Sequence, residues 1–222
     1  MEDSLIDRYT RSRMLFGSSF EQIQSKTAVV MGVGGVGSFV VDCLYRSGLT
    51  QITIIDDDCF DITNQNRQIG SEHINQPKVQ VLAKLYAGIT PIQQNVNQNF
   101  LESFNLLAFD YIVDAIDDLN AKIHIAKRAS TKPMGKFIAS TGSAKKLNPL
   151  YIKVDNIWKS YGDKFARKFR EGLKKAEVKT PFKVVFSPEV PKCKNLGSFS
   201  AVTASFGLTI ASEIIQDILK EA

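Results

Sequence analysis

The sequence is poor in the residues that build disulfide frameworks and metal sites. Its three cysteines are scattered along 222 residues without a C-x-x-C pair, which argues against disulfides and a structural zinc site. The two histidines, His73 and His124, are equally isolated and are interpreted as ordinary surface or helix residues. The sequence also contains no internal repeats or low-complexity segments. These absences argue against disulfide-rich scaffolds, zinc modules and repeat arrays.

Long apolar runs are also scarce. The first residues, "MEDSLIDRYTRSR", mix acids and bases, which is unlike a signal or transit peptide and predicts a cytoplasmic protein. Residues 195–212 carry no charge and just reach the length of a membrane span, but six Ser or Thr and two Gly dilute their apolar character. We therefore expect a buried helix there and no stable membrane span, while transient membrane association stays open.

The charge of +5 is distributed unevenly along the chain. Residues 145–194 contain 14 Lys and Arg against 5 Asp and Glu, a local excess of +9, which leaves −4 for the rest. An anionic partner such as RNA would explain this basic half, and a solvated helix face would explain it equally well. The residues that would form such a surface are Lys145, Lys146, Lys164, Arg167, Lys168, Arg170, Lys174 and Lys175.

Strand-like and helix-like patterns alternate along the chain. Strands are predicted at "KTAVVMGVGG", "QITIID", "QQNVN", "FDYIVDAID", "GKFIAST" and within "STGSAKKLNPLYIKVDNI". Helices are predicted at "SFVVDCLYRSG", "NQPKVQVLAKLYAGITP", "NAKIHIAKRAST", "KSYGDKFARKFREGLKKA" and in the apolar segment after residue 195. This alternation predicts an α/β fold with a Rossmann-like, mostly parallel sheet and helices on both faces. We expect one domain over residues 1–222, with ligands at the carboxyl ends of the strands.

A glycine turn joins the first predicted strand to the first predicted helix. Gly32, Gly34 and Gly37 satisfy the G-x-G-x-x-G pattern, and Asp56 follows 24 residues after Gly32. Glycines at such a turn let the backbone approach phosphates at a helix N-terminus. Taken alone, the motif favours an NAD-dependent oxidoreductase.

The residues downstream favour ATP instead. The segment "DDDCFDITNQNRQIG" is followed by Lys78, and an arginine, a lysine and amides beside a phosphate cradle suit a reaction that moves phosphate charge. Asp114, Asp117 and Asp118 follow the fourth strand and offer carboxylates for Mg²⁺. Simpler roles remain open for several of these residues. The candidates are Asp58 and Asp61 as loop formers, Asn64 as a turn residue, Asp114 as a helix cap, and Arg67 and Lys78 as surface charges.

The ordered set "GVGGVGS", "DDDCFDITNQNRQ", "NQPK" and "DAIDD" resembles the adenylating domain of ubiquitin-activating enzymes and of the bacterial activators of molybdopterin and thiamine sulfur carriers. The resemblance is closer to one branch, the tRNA threonylcarbamoyladenosine dehydratases. It rests on "NQNRQI", "NPLYIKVDNIWKSYGDKFARKFREGL" and "VVFSPE", and it covers about residues 7–220. The sequence departs from that branch at Lys164, where the family has proline.

The resemblance implies a role for each site residue. Asp56 would bind the ribose of ATP, Asp117 would hold Mg²⁺, and Arg11 would reach ATP across a homodimer interface. The residues implied at the phosphates are Gly32, Gly34, Gly35, Gly37, Asn64, Arg67, Gln68 and Lys78. Arg67, Lys78 and Asp117 are the implied catalytic residues.

The resemblance also implies a reaction and partners. A carboxylate of threonylcarbamoyladenosine in tRNA would be adenylated and then closed into a ring, so that the basic half faces tRNA. A homodimer is implied as well, while a sulfur-transfer protein partner stays open. Adenylation of a carrier protein's C-terminal glycine is the alternative, although zinc cysteines and a thioester cysteine are lacking and Cys193 is interpreted as an incidental thiol. An NAD oxidoreductase and a nucleotide-binding scaffold explain fewer of the residues.

Overall fold

The computed structural model describes residues 6–221, which contain a seven-stranded sheet. The strands are β1 (Thr27–Met31), β2 (Gln51–Ile55), β3 (Thr90–Ile92), β4 (Tyr111–Asp114), β5 (Phe137–Ser140), β6 (Lys153–Asn156) and β7 (Lys183–Phe186). Their order is β3-β2-β1-β4-β5-β7-β6, and all neighbouring pairs are parallel except the edge strand β6, which runs antiparallel to β7. The predicted mostly parallel sheet is confirmed. Residues 1–5 and 222, which the predicted domain and the leader-peptide interpretation include, lie outside the described residues.

Helices cover both faces of this sheet, as predicted. They are α1 (Thr10–Phe16), α2 (Phe20–Ser25), α3 (Gly37–Arg46), α4 (Lys78–Leu85), α5 (Gln98–Ser103), α6 (Leu119–Ala129), α7 (Lys164–Lys175) and α8 (Ser200–Glu221). Successive residues of a strand point to opposite faces, so Val30 packs with α3 and α8, while Val29 and Met31 pack with α6 and α7. Two apolar clusters therefore enclose the sheet.

Two strand predictions need correction. The third strand is Thr90–Ile92, and residues 93–97, where it was predicted, lead without regular structure into α5. Pro91 is tolerated in β3 because this strand lies at the edge of the sheet, and the side chain of Asn97 caps α5 by accepting from the Phe100 N–H at 3.0 Å. Strand β7 was not predicted as a strand, and it inserts between β5 and β6.

The apolar segment near residue 200 forms α8, whose face against α3 is buried as expected. Residues 195–199 precede the helix. A Cβ on Gly207 would lie 2.4 Å from the Val36 carbonyl oxygen, so glycine permits the close approach of α8 to the start of α3. By length and composition α8 could cross a membrane, but half of its most apolar stretch is buried inside the protein.

The strands that carry the predicted site end at one edge of the sheet. Met31, the last residue of β1, pairs with Ile55 at the end of β2 and with Asp114 at the end of β4. Asp114 in turn pairs with Ala139 of β5. The loops that follow these four strands therefore meet at the carboxyl edge, where ligands bind in folds of this kind.

Candidate functional site

A cavity of about 1200 Å³ opens at the carboxyl edge of the sheet. It brings together nine predicted site residues: Gly32, Gly34, Gly35, Asp56, Asn64, Arg67, Gln68, Lys78 and Asp117. Gly37 lies behind the glycine turn as the first residue of α3. Arg11 is exposed on α1 and does not line the cavity. Nine of the predicted residues therefore share one cavity, while the roles of these residues and of Arg11 stay predictions.

At Gly32 and Gly37 the glycine turn is closed by backbone contacts that leave no room for a side chain. Gly32 has φ +80°, and a Cβ there would lie 2.8 Å from the Ala115 carbonyl oxygen. A Cβ on Gly37 would lie 1.8 Å from the carbonyl oxygen of Gly32. Gly34 is different, since its nearest neighbour would be the Gln68 side-chain amide at 3.6 Å. Gly32 and Gly37 therefore shape the turn, and Gly34 keeps the cavity side of the turn open.

Asp56 fixes the glycine turn to the end of β2. One carboxylate oxygen accepts from the backbone N–H of Val33 at 2.8 Å, and the other accepts from that of Asp58 at 2.9 Å. Burial raises the pKa of the Asp56 carboxyl, while the charge of Lys78 and the two N–H donors oppose that rise. A carboxylate so placed can also accept from hydroxyl groups of a bound ligand.

The loop after β2 is shaped by a capping box. The side chain of Asp61 accepts from the Thr63 N–H, and the side chain of Asn64 accepts from the Asp61 N–H at 3.2 Å. The loop-forming role considered for Asp61 and the turn role considered for Asn64 are thus both present. Asn64 is nevertheless buried at the cavity wall, and its predicted phosphate contact stays a prediction.

Arg67 and Gln68 face the glycine turn from this loop. Arg67 donates from Nη1 to the Thr63 carbonyl and to Asn66 Oδ1, each at 2.8 Å, and its Cγ would lie 3.1 Å from a Cβ on Gly35. Gln68 is buried, and its Oε1 has no hydrogen-bond partner within the described chain. A polar ligand bound beside Gly34 could donate the hydrogen bond that the buried Gln68 Oε1 lacks.

Lys78 is buried at the first turn of α4 rather than being a surface charge. Its side chain is 6% exposed, and Nζ donates to Asp58 Oδ2 at 2.7 Å. The side chain of Asp58 is 66% exposed, so this ion pair lies at the rim of the cavity. A phosphate entering the cavity would compete with Asp58 for the same ammonium group.

The three aspartates at and after the end of β4 have different roles. Asp114 is fully buried and pairs with Lys122 Nζ at 2.8 Å, so the interpretation of Asp114 as a helix cap is wrong. The cap of α6 is Asp118, whose carboxylate accepts from the Ala121 N–H at 2.7 Å. Burial raises the pKa of the Asp114 carboxyl, and Lys122 opposes that rise. Asp117 is exposed at the cavity, as a metal-binding carboxylate would need to be.

The far half of the cavity contains a polar cluster that sequence reasoning missed. Asp163 caps α7, and its other carboxylate oxygen accepts from Thr141 Oγ1 at 2.6 Å. Lys146 lies 3.6 Å from the same oxygen and is only 6% exposed, so its assignment to an RNA-facing surface is wrong. Burial lowers the pKa of the Lys146 ammonium. An Asp followed by the helical pattern of "KFARKF" was a readable cap signal, but no local pattern predicts the burial of Lys146.

Two other residues of interest line the cavity. His124 is half-buried on α6, which agrees with a helix residue but places it inside the cleft, whereas His73 is exposed. Cys193 is an exposed free thiol that donates to the Asn195 carbonyl at 3.2 Å. Cys43, which is half-buried, and Cys59, which is exposed, are also free thiols.

A cavity lined by a glycine turn, at the carboxyl edge of a mostly parallel sheet, defines a Rossmann-like nucleotide-binding protein. The sequence profile of the ThiF family matches residues 9–222. The chain therefore belongs to the ThiF family.

Similar proteins span the whole chain. The tRNA threonylcarbamoyladenosine dehydratase of Bacillus subtilis is 30% identical, with 98% of this chain and 96% of that protein covered. The protein of the same name from Escherichia coli is 26% identical, with 100% and 97% covered. The crystal structure of the E. coli tRNA N6-threonylcarbamoyladenosine dehydratase in complex with AMP has a TM-score of 0.89 and 27% identity, with 96% and 95% covered. The E. coli enzyme has also been solved in complex with ATP.

Proposed function

We propose that this chain is an ATP-dependent dehydratase that closes a ring in threonylcarbamoyladenosine of tRNA. The observation that carries the proposal is a similarity to dehydratases over almost the full length of both chains, combined with a cavity that gathers the predicted phosphate-binding residues. We propose that residues 1–222 form one adenylation domain that acts in the cytoplasm.

ATP fits the residues at the near half of the cavity. Gly34 leaves space for phosphate, and the unpartnered amide of Gln68 lies beside it. Arg67 and Lys78 supply positive charge along the same wall. Asp56 would accept from the ribose hydroxyls. Because a phosphate–phosphate bond is to be broken, cations at this wall are more useful here than in a hydride-transfer enzyme.

Mg²⁺ fits Asp117. This ion commonly binds proteins through one or two carboxylates together with substrate phosphates, and Asp117 is an exposed carboxylate at the cavity. When bound there, the ion would neutralise charge that develops on the phosphates. Asp114 and Asp118 are unsuited, since one is paired with Lys122 and the other caps α6.

The reaction proceeds in two substitutions. A carboxylate oxygen of the substrate attacks the α-phosphorus of ATP, the bond to the bridging oxygen breaks, and pyrophosphate leaves. A nitrogen of the same substrate then attacks the activated carbonyl and loses its proton, and AMP leaves with the former carboxylate oxygen. The substrate thereby loses the elements of water. Since the nucleophile lies in the same molecule, positioning replaces a cysteine nucleophile.

The basic half offers a route for tRNA to the cavity. Lys164 and Phe165, at the start of α7, line the cavity, and the exposed Lys168, Lys174 and Lys175 follow along the same helix. Three residues of the predicted RNA-facing surface are instead bonded to other groups of the chain. Arg167 pairs with Glu171 at 3.7 Å, Arg170 donates to Ser160 Oγ, and Lys145 donates to the Lys194 carbonyl.

We also propose the assembly that the resemblance implies. In a homodimer, the exposed Arg11 of one subunit would reach the ATP site of the other. A sulfur-transfer protein is a separate proposed partner, to which the exposed thiol of Cys193 at the cavity is available.

The proposed function is tested with radiolabelled ATP and Mg²⁺. The protein is incubated with tRNA that carries threonylcarbamoyladenosine, with the same tRNA lacking the modification, and with a small carrier protein ending in glycine. We expect AMP and pyrophosphate to form only with the modified tRNA. Turnover with the carrier protein alone would instead support the alternative adenylation, and reduction of NAD would contradict adenylation altogether.

A further inference from the structure

The cavity is larger than its nucleotide half. Its far half is walled by the loop after β5, the start of α7 and the segment after β7. That segment is fixed in place, because Glu189 Oε2 accepts from the backbone N–H of Leu147 and of Asn148, each at 3.0 Å. A preformed wall of this kind favours a substrate-binding half rather than a solvent-filled gap.

Lys146 is the buried cation of this far half. Its ammonium group donates to the Ser187 carbonyl and makes a longer ion pair, 3.6 Å, with Asp163 Oδ2. A lysine ammonium carries three N–H donors, so the hydrogen bonds within residues 6–221 leave donors unused. Burying an ammonium group without its full set of acceptors is unfavourable, and an oxygen ligand in the cavity would offset that cost.

Asp163 does not complete the lysine's set of acceptors. Its Oδ1 accepts from the N–H groups of Phe165 and Ala166 at the start of α7, and its Oδ2 accepts from Thr141. Glu189 is likewise engaged, with Leu147 and Asn148. Asp163 therefore pairs with Lys146 only at 3.6 Å and Glu189 acts on it through its charge, so at least one N–H of the ammonium group is left for a ligand.

Other cations near the far half are less suited. Lys145 is bonded to the Lys194 carbonyl, and Lys164 and Lys194 are exposed to solvent, where a salt bridge is weak. Lys78, in the nucleotide half, is paired with Asp58. Lys146, by contrast, lines the cavity, is buried, and has an N–H donor that is not used within the described chain.

We propose that Lys146 binds the carboxylate of the substrate, an N-acylated amino acid attached to an adenine base. The inference rests on the proposed function. Lys146 holds the carboxylate oxygen that does not attack ATP, and so directs the other oxygen toward the α-phosphorus. After adenylation the same ammonium donates to the carbonyl oxygen, on which negative charge develops while the ring closes. One contact thus serves substrate binding and both substitutions.

Lys146→Gln tests this role, because glutamine can still donate to the Ser187 carbonyl while the charge is removed. The measurement is the affinity for tRNA with and without threonylcarbamoyladenosine, in the presence of a non-hydrolysable ATP analogue. We expect the wild-type protein to prefer the modified tRNA by about 10- to 100-fold. The variant should lose this preference and keep its affinity for unmodified tRNA. Lys127→Gln, at an exposed position on α6, controls for the loss of a positive charge.

A second measurement avoids any variant. The carboxylate of the modified tRNA is converted to its methyl ester, and binding to the wild-type protein is compared with that of the free acid. We expect the ester to bind no better than unmodified tRNA. Wild-type protein that neither prefers the modified tRNA nor releases AMP would refute the proposed function. Wild-type protein that does both, together with a Lys146→Gln variant that keeps the full preference, would refute the role of Lys146 alone.

Discussion

Arg67 lies against Gly35 at the nucleotide half of the cavity. Its removal should therefore lower turnover and leave the stability of the fold almost unchanged. Arg67→Ala removes a guanidinium group from the phosphate wall, and we expect turnover to fall by about 100- to 1000-fold. Its two local hydrogen bonds lie at a partly exposed loop, so the free energy of unfolding should change by about 1 kcal/mol or less. AMP release and thermal unfolding measure the two effects. Near-normal turnover in a folded variant would remove Arg67 from the site.

Two glycines of the same turn should respond differently to a methyl group. Gly37→Ala places Cβ against the Gly32 carbonyl oxygen, and we expect a loss of about 3 kcal/mol in the free energy of unfolding. Gly34→Ala has space for Cβ and should change that free energy by less than about 0.5 kcal/mol. Its methyl group would nevertheless occupy the cavity and lower ATP affinity at least about tenfold. Calorimetric ATP titration measures the change in affinity, and denaturant unfolding measures the change in stability. Equal free energies of unfolding for the Gly34→Ala and Gly37→Ala variants would contradict the different roles of the two glycines.

The predicted residues that line the cavity are mostly those marked by a local sequence pattern. The glycine turn, Asp56 and the segment around Arg67 lie next to strand ends, and parallel strands bring such segments together. The roles of Asp114 and Lys146 could not be read in this way, because their burial depends on neighbours far along the chain. Lys146, for example, donates to the carbonyl of Ser187, 41 residues away.

At the scale of elements, a buried tether holds the loop between β4 and α6. Lys122 Nζ donates to Asp114 Oδ1 and to the Ile116 carbonyl at 3.0 Å, and Asp117 follows directly. The side chain of Lys122 also lies 5.7 Å from the ring centre of Phe169, so α7 packs over this tether. The exposed Asp117 thus lies on a loop whose position is fixed by the buried Lys122.

This tether predicts strong coupling between its two charges. Lys122→Met leaves a buried carboxylate without its cation, and Asp114→Asn leaves a buried ammonium without its anion. Each should lower the free energy of unfolding by about 3–5 kcal/mol. The double variant should lose less than the sum of the two, because no unpaired charge remains. Denaturant unfolding of all four proteins gives the coupling, and strictly additive losses would contradict it.

Element boundaries were predictable where helix and strand signals were strong, and not where a strand was short. The edge strand β3 has three residues and contains Pro91, so its sequence resembles a turn. Strand β7 has only three consecutive apolar residues after Lys183, and a run of that length does not by itself distinguish a strand from a core helix segment.

At the scale of the whole molecule, the proposed homodimer can be tested by complementation. A heterodimer of Arg11→Ala and Asp117→Asn subunits, purified with two different tags, contains one site with both its own Asp117 and its partner's Arg11. We expect this heterodimer to show about half of the wild-type activity. AMP formation is the measurement, and both homodimeric variants should be nearly inactive.

The control pairs an Arg11→Ala subunit with a subunit that carries both substitutions, in which no intact site can form. Activity there equal to that of the first heterodimer would contradict a role for Arg11 across the interface. Failure of the two tagged chains to co-purify would contradict the homodimer itself.

The packing of α8 against α3 has a consequence for how the protein is made. Residues 47–199 separate the two helices, so α3 leaves the ribosome long before the helix that covers it. Until residue 200 and those after it have emerged, the side of α3 that packs against α8 has no partner, and the glycine turn at its start lacks the support of α8. A nascent chain should therefore acquire its capacity to bind nucleotide late in translation, and shorter chains should depend on chaperones rather than on ATP.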